Sequence, residues 1–295
     1  MPEIVITLVA RVDDAAPLAA TVERVAKEIN GRRDWLAPGE ACDIYTTAAE
    51  DRARRLVAGI VLGTPIDHAV QAAAGRRKRL LVADMDSTMI GQECIDELAD
   101  YAGKRTEIAA ITERAMRGDL PFEPALRERV RQLAGLPASV CDKVLAERIR
   151  PNPGAAILVR TMRKHAAHTA LVSGGFTAFT GPVASAIGFD SHHANTLLLG
   201  ADGRLTGNLA EPILGREAKR HTLLDLAERL GIDVSETLAI GDGANDISMV
   251  QAAALGIAYR AKPALAAVAV ARIDHADLTA ALYFQGYRRG EFASA

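Results

Sequence analysis

Three apolar runs in this chain each stop at a polar cluster, and that pattern restricts the fold more than any other feature. Leu80-Leu81-Val82-Ala83 ends in Asp84, Thr169-Ala170-Leu171-Val172 ends in Ser173-Gly174-Gly175, and Thr237-Leu238-Ala239-Ile240 ends in Gly241-Asp242-Gly243. Short runs without apolar/polar alternation read as strands buried on both faces. Helical periodicity between them gives the alternation of a parallel α/β sheet. In such a sheet the carboxyl ends of the strands face one crevice, so groups spread over about 160 residues of chain can meet there.

With 295 residues, 49% hydrophobic and 24% charged, the chain suits one large or two modest domains at roughly 100–200 residues each. Its 35 Lys and Arg nearly cancel 37 Asp and Glu, leaving a formal charge of −2, so no global field favours nucleic acid or an anionic membrane. Apolar runs such as residues 264–271 fall far short of the ~18 residues of a membrane span. Met1-Pro2-Glu3 carries an acid where a secretory signal carries bases, and a cytoplasmic location is expected. Cys42, Cys94 and Cys141 have neither disulfide-framework nor metal-ligand spacing and are expected as reduced thiols.

Ahead of the three runs, residues 4–10 and 43–47 read as strands and 17–30 and 48–62 as helices. They form a separate N-terminal α/β domain, residues 1–75, with no Gly-rich loop, acid cluster or obvious nucleophile. Ala72-Ala73-Ala74-Gly75 followed by Arg76-Arg77-Lys78-Arg79 reads as a boundary. Four bases without aromatic interleaving make a thin nucleic-acid footprint, so a solvated linker is expected. Two insertions interrupt the core, residues 76–295. Residues 92–150 are helical in period, with breaks expected at Pro121, Pro124, Gly135 and Pro137, and would cap the crevice. Residues 195–208 flank Gly200-Ala201-Asp202-Gly203 and read as a β-hairpin.

Asp84-Met85-Asp86 sets two carboxylates in alternate positions at the end of a buried strand, where unpartnered charge is unfavourable. Asp242 and Asp246 join them at the third strand. Any one of these acids could cap a helix, but four at converging strand ends call for a divalent cation, and hard oxygen ligands favour Mg²⁺ over zinc. Ser173-Gly174-Gly175 offers a hydroxyl and bare backbone N–H groups to a phosphate oxygen. Lys219, on the helix before the third strand, adds a positive charge.

Together these groups describe phosphoryl transfer to a carboxylate. A nucleophilic Asp approaching a phosphate dianion meets repulsion of roughly 4 kcal/mol per unit-charge pair at 4 Å and an effective dielectric of 20, which a cation must offset. Asp84 directly ends the strand and is the better nucleophile. Asp86, two residues on, can protonate the leaving alkoxide and then deprotonate the hydrolytic water. None of the seven histidines sits in a nucleophile elbow or at metal-ligand spacing beside an acid.

Asp84-Met85-Asp86-Ser87-Thr88, Ser173-Gly174-Gly175-Phe176, Lys219 and Gly241-Asp242-Gly243-Ala244-Asn245-Asp246 resemble, in order and spacing, the motifs of the haloacid dehalogenase-like superfamily. The likeness covers about residues 78–290 and extends to its phosphoserine phosphatases. It implies a Rossmann-like parallel core with a helical cap, Asp84 as nucleophile and Asp86 as acid/base. It also implies Mg²⁺ bound by the Asp84 carboxylate, the Asp86 main-chain carbonyl and Asp242, with Asp246 and Asn245 in support. On the substrate side, Glu93 matches the family's glutamate near the charged end of phosphoserine. Arg129 matches the arginine that receives its carboxylate, and Met116 and Phe122 resemble the apolar residues that close the pocket. Ser173, Gly174 and Asn245 complete the expected substrate contacts. The N-terminal domain resembles, in size and order, the regulatory domains ahead of some phosphoserine phosphatases.

The expectation is an Mg²⁺-dependent phosphomonoesterase converting O-phospho-L-serine to L-serine and phosphate through an aspartyl-phosphate, the last step of serine biosynthesis. A small molecule is its partner, with no nucleic acid or membrane, and a homodimer stays open. Two other readings stay open as well. One is a related phosphatase or phosphotransferase for another small phosphomonoester, such as phosphothreonine or a phosphosugar. The other is an amino-acid-sensing protein with a vestigial core.

Overall fold

A computed structural model describes residues 3–11, 16–116 and 119–294. Among them the strands are β1 (Ile4–Ala10), β2 (Arg32–Ala37), β3 (Ala41–Thr46), β4 (Ile66–Ala72), β5 (Leu80–Ala83), β6 (His168–Phe176), β7 (Ser191–Asn195), β8 (Leu197–Leu199), β9 (Leu205–Leu209), β10 (Thr237–Gly241), β11 (Leu255–Tyr259) and β12 (Ala271–Ile273). Every position of β5, β10 and β11 is buried, as their unalternated apolar sequences require. β12, β11, β10, β5, β6 and β7 lie side by side in that order, all parallel. In the central trio Ala83 pairs with Ile240 on one side and Leu171 on the other, so the three strand tips that carry polar clusters are neighbours.

The N-terminal unit forms β2-β3-β1-β4, antiparallel throughout, with helices Ala16–Glu28 and Glu50–Val61 on one face. Ile4, Ile6 and Leu8 pack with Leu18, Val22 and Val57 of those helices in a core of their own. The other face of the same strands contributes Val9, Ala41 and Ala69 to the main core. β4 then pairs antiparallel with β12, through Ala69↔Ala271 and His68↔Arg272, so one ten-stranded sheet runs through both parts. Asp67 of β4 accepts hydrogen bonds from the backbone N–H groups of Asp274 (2.8 Å) and Ala276 (2.7 Å) beyond β12.

The basic run 76–79 is only half the solvated linker expected: Arg77 and Arg79 are exposed, whereas Arg76 and Lys78 turn inward. Arg76 is buried and pairs with Asp43, which also accepts from Thr7 Oγ1 at 2.7 Å. Its guanidinium packs on Gly286, where φ is +78° and a Cβ would overlap it. Lys78 is buried too, and its Nζ donates to the carbonyls of Gly75 (2.9 Å) and Ser235 (2.8 Å). The sheet order sets β12, β11 and β10 between β4 and β5, and on the connection that spans them Arg76 and Lys78 meet Asp43 and the Gly75 and Ser235 carbonyls, while Arg77 and Arg79 pair at the surface with Glu291 and Glu236.

The cap comprises helices Cys94–Tyr101, Arg105–Met116, Phe122–Arg131 and Ser139–Glu147. Pro124 does not break the third, because it lies in the first turn, where its missing N–H has no intrahelical partner to lose. β8 and β9 form the expected hairpin, pairing Leu197 with Leu209 and Leu199 with Leu205. That hairpin is bonded to the cap through Gly135 N–H to Leu205 O (2.8 Å) and Leu205 N–H to Leu136 O (2.9 Å). The three cysteines are free and buried. No helix among the described residues is long and apolar enough to cross a membrane.

Candidate active site

β5 ends with the backbone N–H of Asp84 still bonded to Ile240 O of β10 at 3.0 Å. The chain then leaves the sheet in a tight turn, Met85–Met89, in which Ser87 takes φ +55°. The Asp84 Oδ1 accepts from the N–H of Met85 (2.8 Å), and the turn is closed by Ile90 N–H to Met85 O (3.0 Å). At the neighbouring tip, Gly241 has no room for a Cβ because the Asp246 carboxylate occupies that space. Asp246 Oδ2 accepts from the N–H groups of Asp242 and Gly243, both at 3.1 Å, and so shapes the loop that carries Asp242. Lys219, on helix Arg216–Leu230, reaches between the two tips. Its Nζ lies 2.7 Å from Asp84 Oδ1 and 2.6 Å from Asp246 Oδ1.

Asp84, Asp242 and Asp246 each bring one carboxylate oxygen within 4.8 Å of the others, at 3%, 8% and 0% exposure. Three carboxylates against one ammonium leave two negative charges in a buried volume. Burial, then the charge of Asp246, raises the Asp84 carboxyl well above its ordinary value despite Lys219. Burial, then Asp246 and Glu93, pushes Asp242 up to about 6. Burial opposes the charge on Lys219, but Asp246 and Asp84 outweigh it and hold the ammonium more firmly protonated than usual. An all-oxygen donor set with this charge deficit fits a hard divalent cation such as Mg²⁺.

The Asp86 carboxylate stands outside that trio. Its Oδ1 accepts from the N–H of Cys94 at 3.3 Å, and its Oδ2 lies 3.1 Å from where a Cβ on Gly175 would sit. Burial, then the charge of Glu93, pushes its carboxyl up to about 7, the range that suits proton transfer near neutrality. Ser173 Oγ accepts from the N–H of Gly175 (2.8 Å), and Gly174 lies under the ring of Phe122 from the cap, with Cζ 3.2 Å from a would-be Cβ. The structure thus brings the sheet-end glycines and this cap residue together.

Of the other expected contacts, Glu93 accepts from Ser87 Oγ at 2.7 Å, at the turn that follows Asp84. Arg129 is half-buried in the last turn of helix Phe122–Arg131, with Nε donating to Ala125 O at 3.3 Å. Burial lowers its pKa, while the charges of Asp96 and Glu93 work in the opposite direction, so Arg129 faces the acidic side of the cap. The Asn245 amide is folded against Gly243, where a Cβ would meet Oδ1. The side chain of Met116 lies outside the described residues. Two asparagines escape sequence reasoning. Asn195 donates to Gly174 O (2.9 Å) and accepts from Leu214 N–H (2.7 Å); Asn152 donates to Thr88 O (2.8 Å). Neither carries a spacing signal, because each acts on backbone rather than within a motif.

Residues 81–251 match the family model described as haloacid dehalogenase-like hydrolase. The chain belongs to the haloacid dehalogenase-like hydrolases. It is 45% identical over 232 residues to phosphoserine phosphatase SerB2 of Mycobacterium tuberculosis, covering 78% of this chain but only 56% of that relative. It is 33% identical to phosphoserine phosphatase of Saccharomyces cerevisiae over 99% of this chain and 98% of the relative. Among solved structures, one titled as a phospho-aspartyl intermediate analogue of phosphoserine phosphatase superposes with a TM-score of 0.65 at 39% identity, over 70% of this chain and 99% of that one. For a haloacid dehalogenase-like hydrolase the carboxylate trio and Lys219 occupy the converging tips of the parallel sheet, with the cap above them.

Proposed function

We propose that this haloacid dehalogenase-like hydrolase is an Mg²⁺-dependent phosphatase that hydrolyses O-phospho-L-serine to L-serine and phosphate. The observation that carries the proposal is the carboxylate–lysine cluster, with Glu93 at the cap entry close enough to raise the carboxyls of Asp86 and Asp242, and with Arg129 of the cap within the field of Glu93. A phosphoserine molecule needs both: an acid for its ammonium and a guanidinium for its carboxylate, the latter able to bind in bidentate fashion. The relatives named phosphoserine phosphatase support the same substrate.

In this reading Asp84, Asp242 and Asp246, together with the main-chain carbonyl of Asp86, would hold the Mg²⁺. When bound, the ion offsets the repulsion between the phosphate dianion and the attacking carboxylate. Asp84, fixed by the sheet and by Lys219, attacks phosphorus and forms an acyl phosphate. Asp86, with its carboxyl near neutrality, gives its proton to the departing serine oxygen and then removes one from the water that opens the acyl phosphate. Ser173, whose Oγ is held by the Gly175 N–H, and the backbone N–H of Gly174 steady the phosphoryl oxygens, and Asn245 supports that side. Phe122 closes the site against bulk water.

Phosphate release with Mg²⁺ from a panel of phosphoserine, phosphothreonine, phosphoethanolamine and sugar phosphates tests this directly. Phosphoserine should have the highest kcat/KM by at least about tenfold. A sugar phosphate turned over faster would replace the substrate, and release from none of them would favour the binding-protein alternative.

A further inference from the structure

The nucleophile turn has a second anchor, outside the sequence motifs. The chain enters the cap through residues 88–92 and returns through residues 150–154, and the two crossings are stitched together. Ile90 bridges Pro151, Gly91 N–H donates to Arg150 O (3.3 Å), and Arg150 N–H donates to the Gln92 side-chain oxygen (3.0 Å). Asn152 completes the seam twice. Its backbone N–H donates to Met89 O (2.9 Å) and its side-chain Nδ2 donates to Thr88 O (2.8 Å). One residue of the return crossing therefore holds two consecutive carbonyls of the turn that starts at Asp84.

That residue is itself backed by the core. Leu278 N–H donates to Pro153 O (3.1 Å), and Gly154, at φ +82°, lies so close to the loop after β12 that a Cβ would meet Thr279 N at 2.8 Å and Asp277 Oδ1 at 2.9 Å. The turn needs external support. Ser87 sits in the left-handed region that disfavours a residue with a Cβ, and the buried Thr88 hydroxyl has no partner among the described residues. Local side chains thus do not close the turn unaided.

We propose that Asn152 is a positioning residue: its amide locks the nucleophile turn to the return crossing of the cap, so that the seating of the cap and the attack geometry of Asp84 and Asp86 are set together. This rests on Asp84 being the nucleophile of the proposed phosphatase. The test compares full-length wild type with Asn152→Asp, which keeps the shape but removes the donor, and with Asn152→Ala. Two readouts are taken: kcat and KM for phosphoserine with Mg²⁺, and amide hydrogen exchange of the metal-free protein. A misplacement near 1 Å in a reacting group costs about a hundredfold, so kcat should fall by about tenfold to a hundredfold in both variants with KM within about threefold. Exchange of the peptide spanning residues 85–93 should quicken at least about tenfold, with β10 unchanged. Unchanged kcat and exchange would overturn the proposal. So would a rise in KM alone, or faster exchange spread equally into β10, which marks general destabilisation. If wild type itself leaves phosphoserine intact, the phosphatase reading fails, and the exchange comparison still decides whether Asn152 anchors the turn.

Discussion

Replacing Asp242 by Asn should make the metal-free protein more stable at neutral pH, although it removes a residue assigned to the working site. Burial and the charges of Asp246 and Glu93 move the Asp242 carboxyl from 3.8 to about 6. At about 1.4 kcal/mol for each pH unit, that displacement corresponds to about 3 kcal/mol against the folded state once the group is ionised. The sign follows from a raised folded-state value. Below about pH 3.8 the carboxyl is protonated whether folded or unfolded and the cost is absent; it grows as pH rises and is complete above about 6. Urea unfolding in chelator at pH 4 and pH 8 measures it, provided the slope with denaturant is unchanged. Asp242→Asn should match wild type within about 1 kcal/mol at pH 4 and exceed it by up to about 3 kcal/mol at pH 8. Adding Mg²⁺ should stabilise wild type by mass action and leave the variant nearly unmoved. A variant less stable than wild type at pH 8 without metal would refute the reasoning, since the protein alone would then satisfy that carboxylate.

Arg129→Ala should lower kcat/KM for phosphoserine by about a hundredfold, the worth of a charge-assisted pair of about 2–3 kcal/mol, but that for phosphoethanolamine, which lacks the carboxylate, by no more than about threefold. Equal losses would contradict the role given to Arg129. Asp43→Ala leaves the buried Arg76 guanidinium unpaired and should cost about 3–5 kcal/mol of unfolding free energy; a change below about 1 kcal/mol would show the pair to be dispensable. Burial pushes the Cys42 thiol up to about 12 and Cys141 to about 11, with Cys94 higher still. The native protein at pH 8 should therefore leave a thiol reagent unreacted while the urea-unfolded chain titrates three thiols, and a thiol reacting in the native state would contradict that burial.

The C-terminal part was legible because its strands are buried on both faces, so the apolar runs 80–83 and 237–240 state their own ends and the carboxylates begin where they stop. The N-terminal half was harder. β2 opens with Arg32, Arg33 and Asp34 because it is an edge strand with an exposed side, and β4 carries Asp67 and His68 because those residues meet the loop and strand of the core. Their polar residues hide the strand pattern. Buried charge at Arg76 and Lys78 depends on partners distant in sequence, Asp43 and the Ser235 carbonyl, which local composition does not encode. The amides of Asn152 and Asn195 act through single backbone contacts, so spacing could not reveal them.

The most direct measurement is the chemical identity of the residue that carries phosphate during turnover. Wild-type protein mixed briefly with radiolabelled phosphoserine and Mg²⁺, quenched in acid and digested, should carry the label on the peptide containing Asp84. Asp84→Asn should neither acquire label nor release phosphate. Label on a different residue, or phosphate release by the Asn variant at the wild-type rate, would contradict the account.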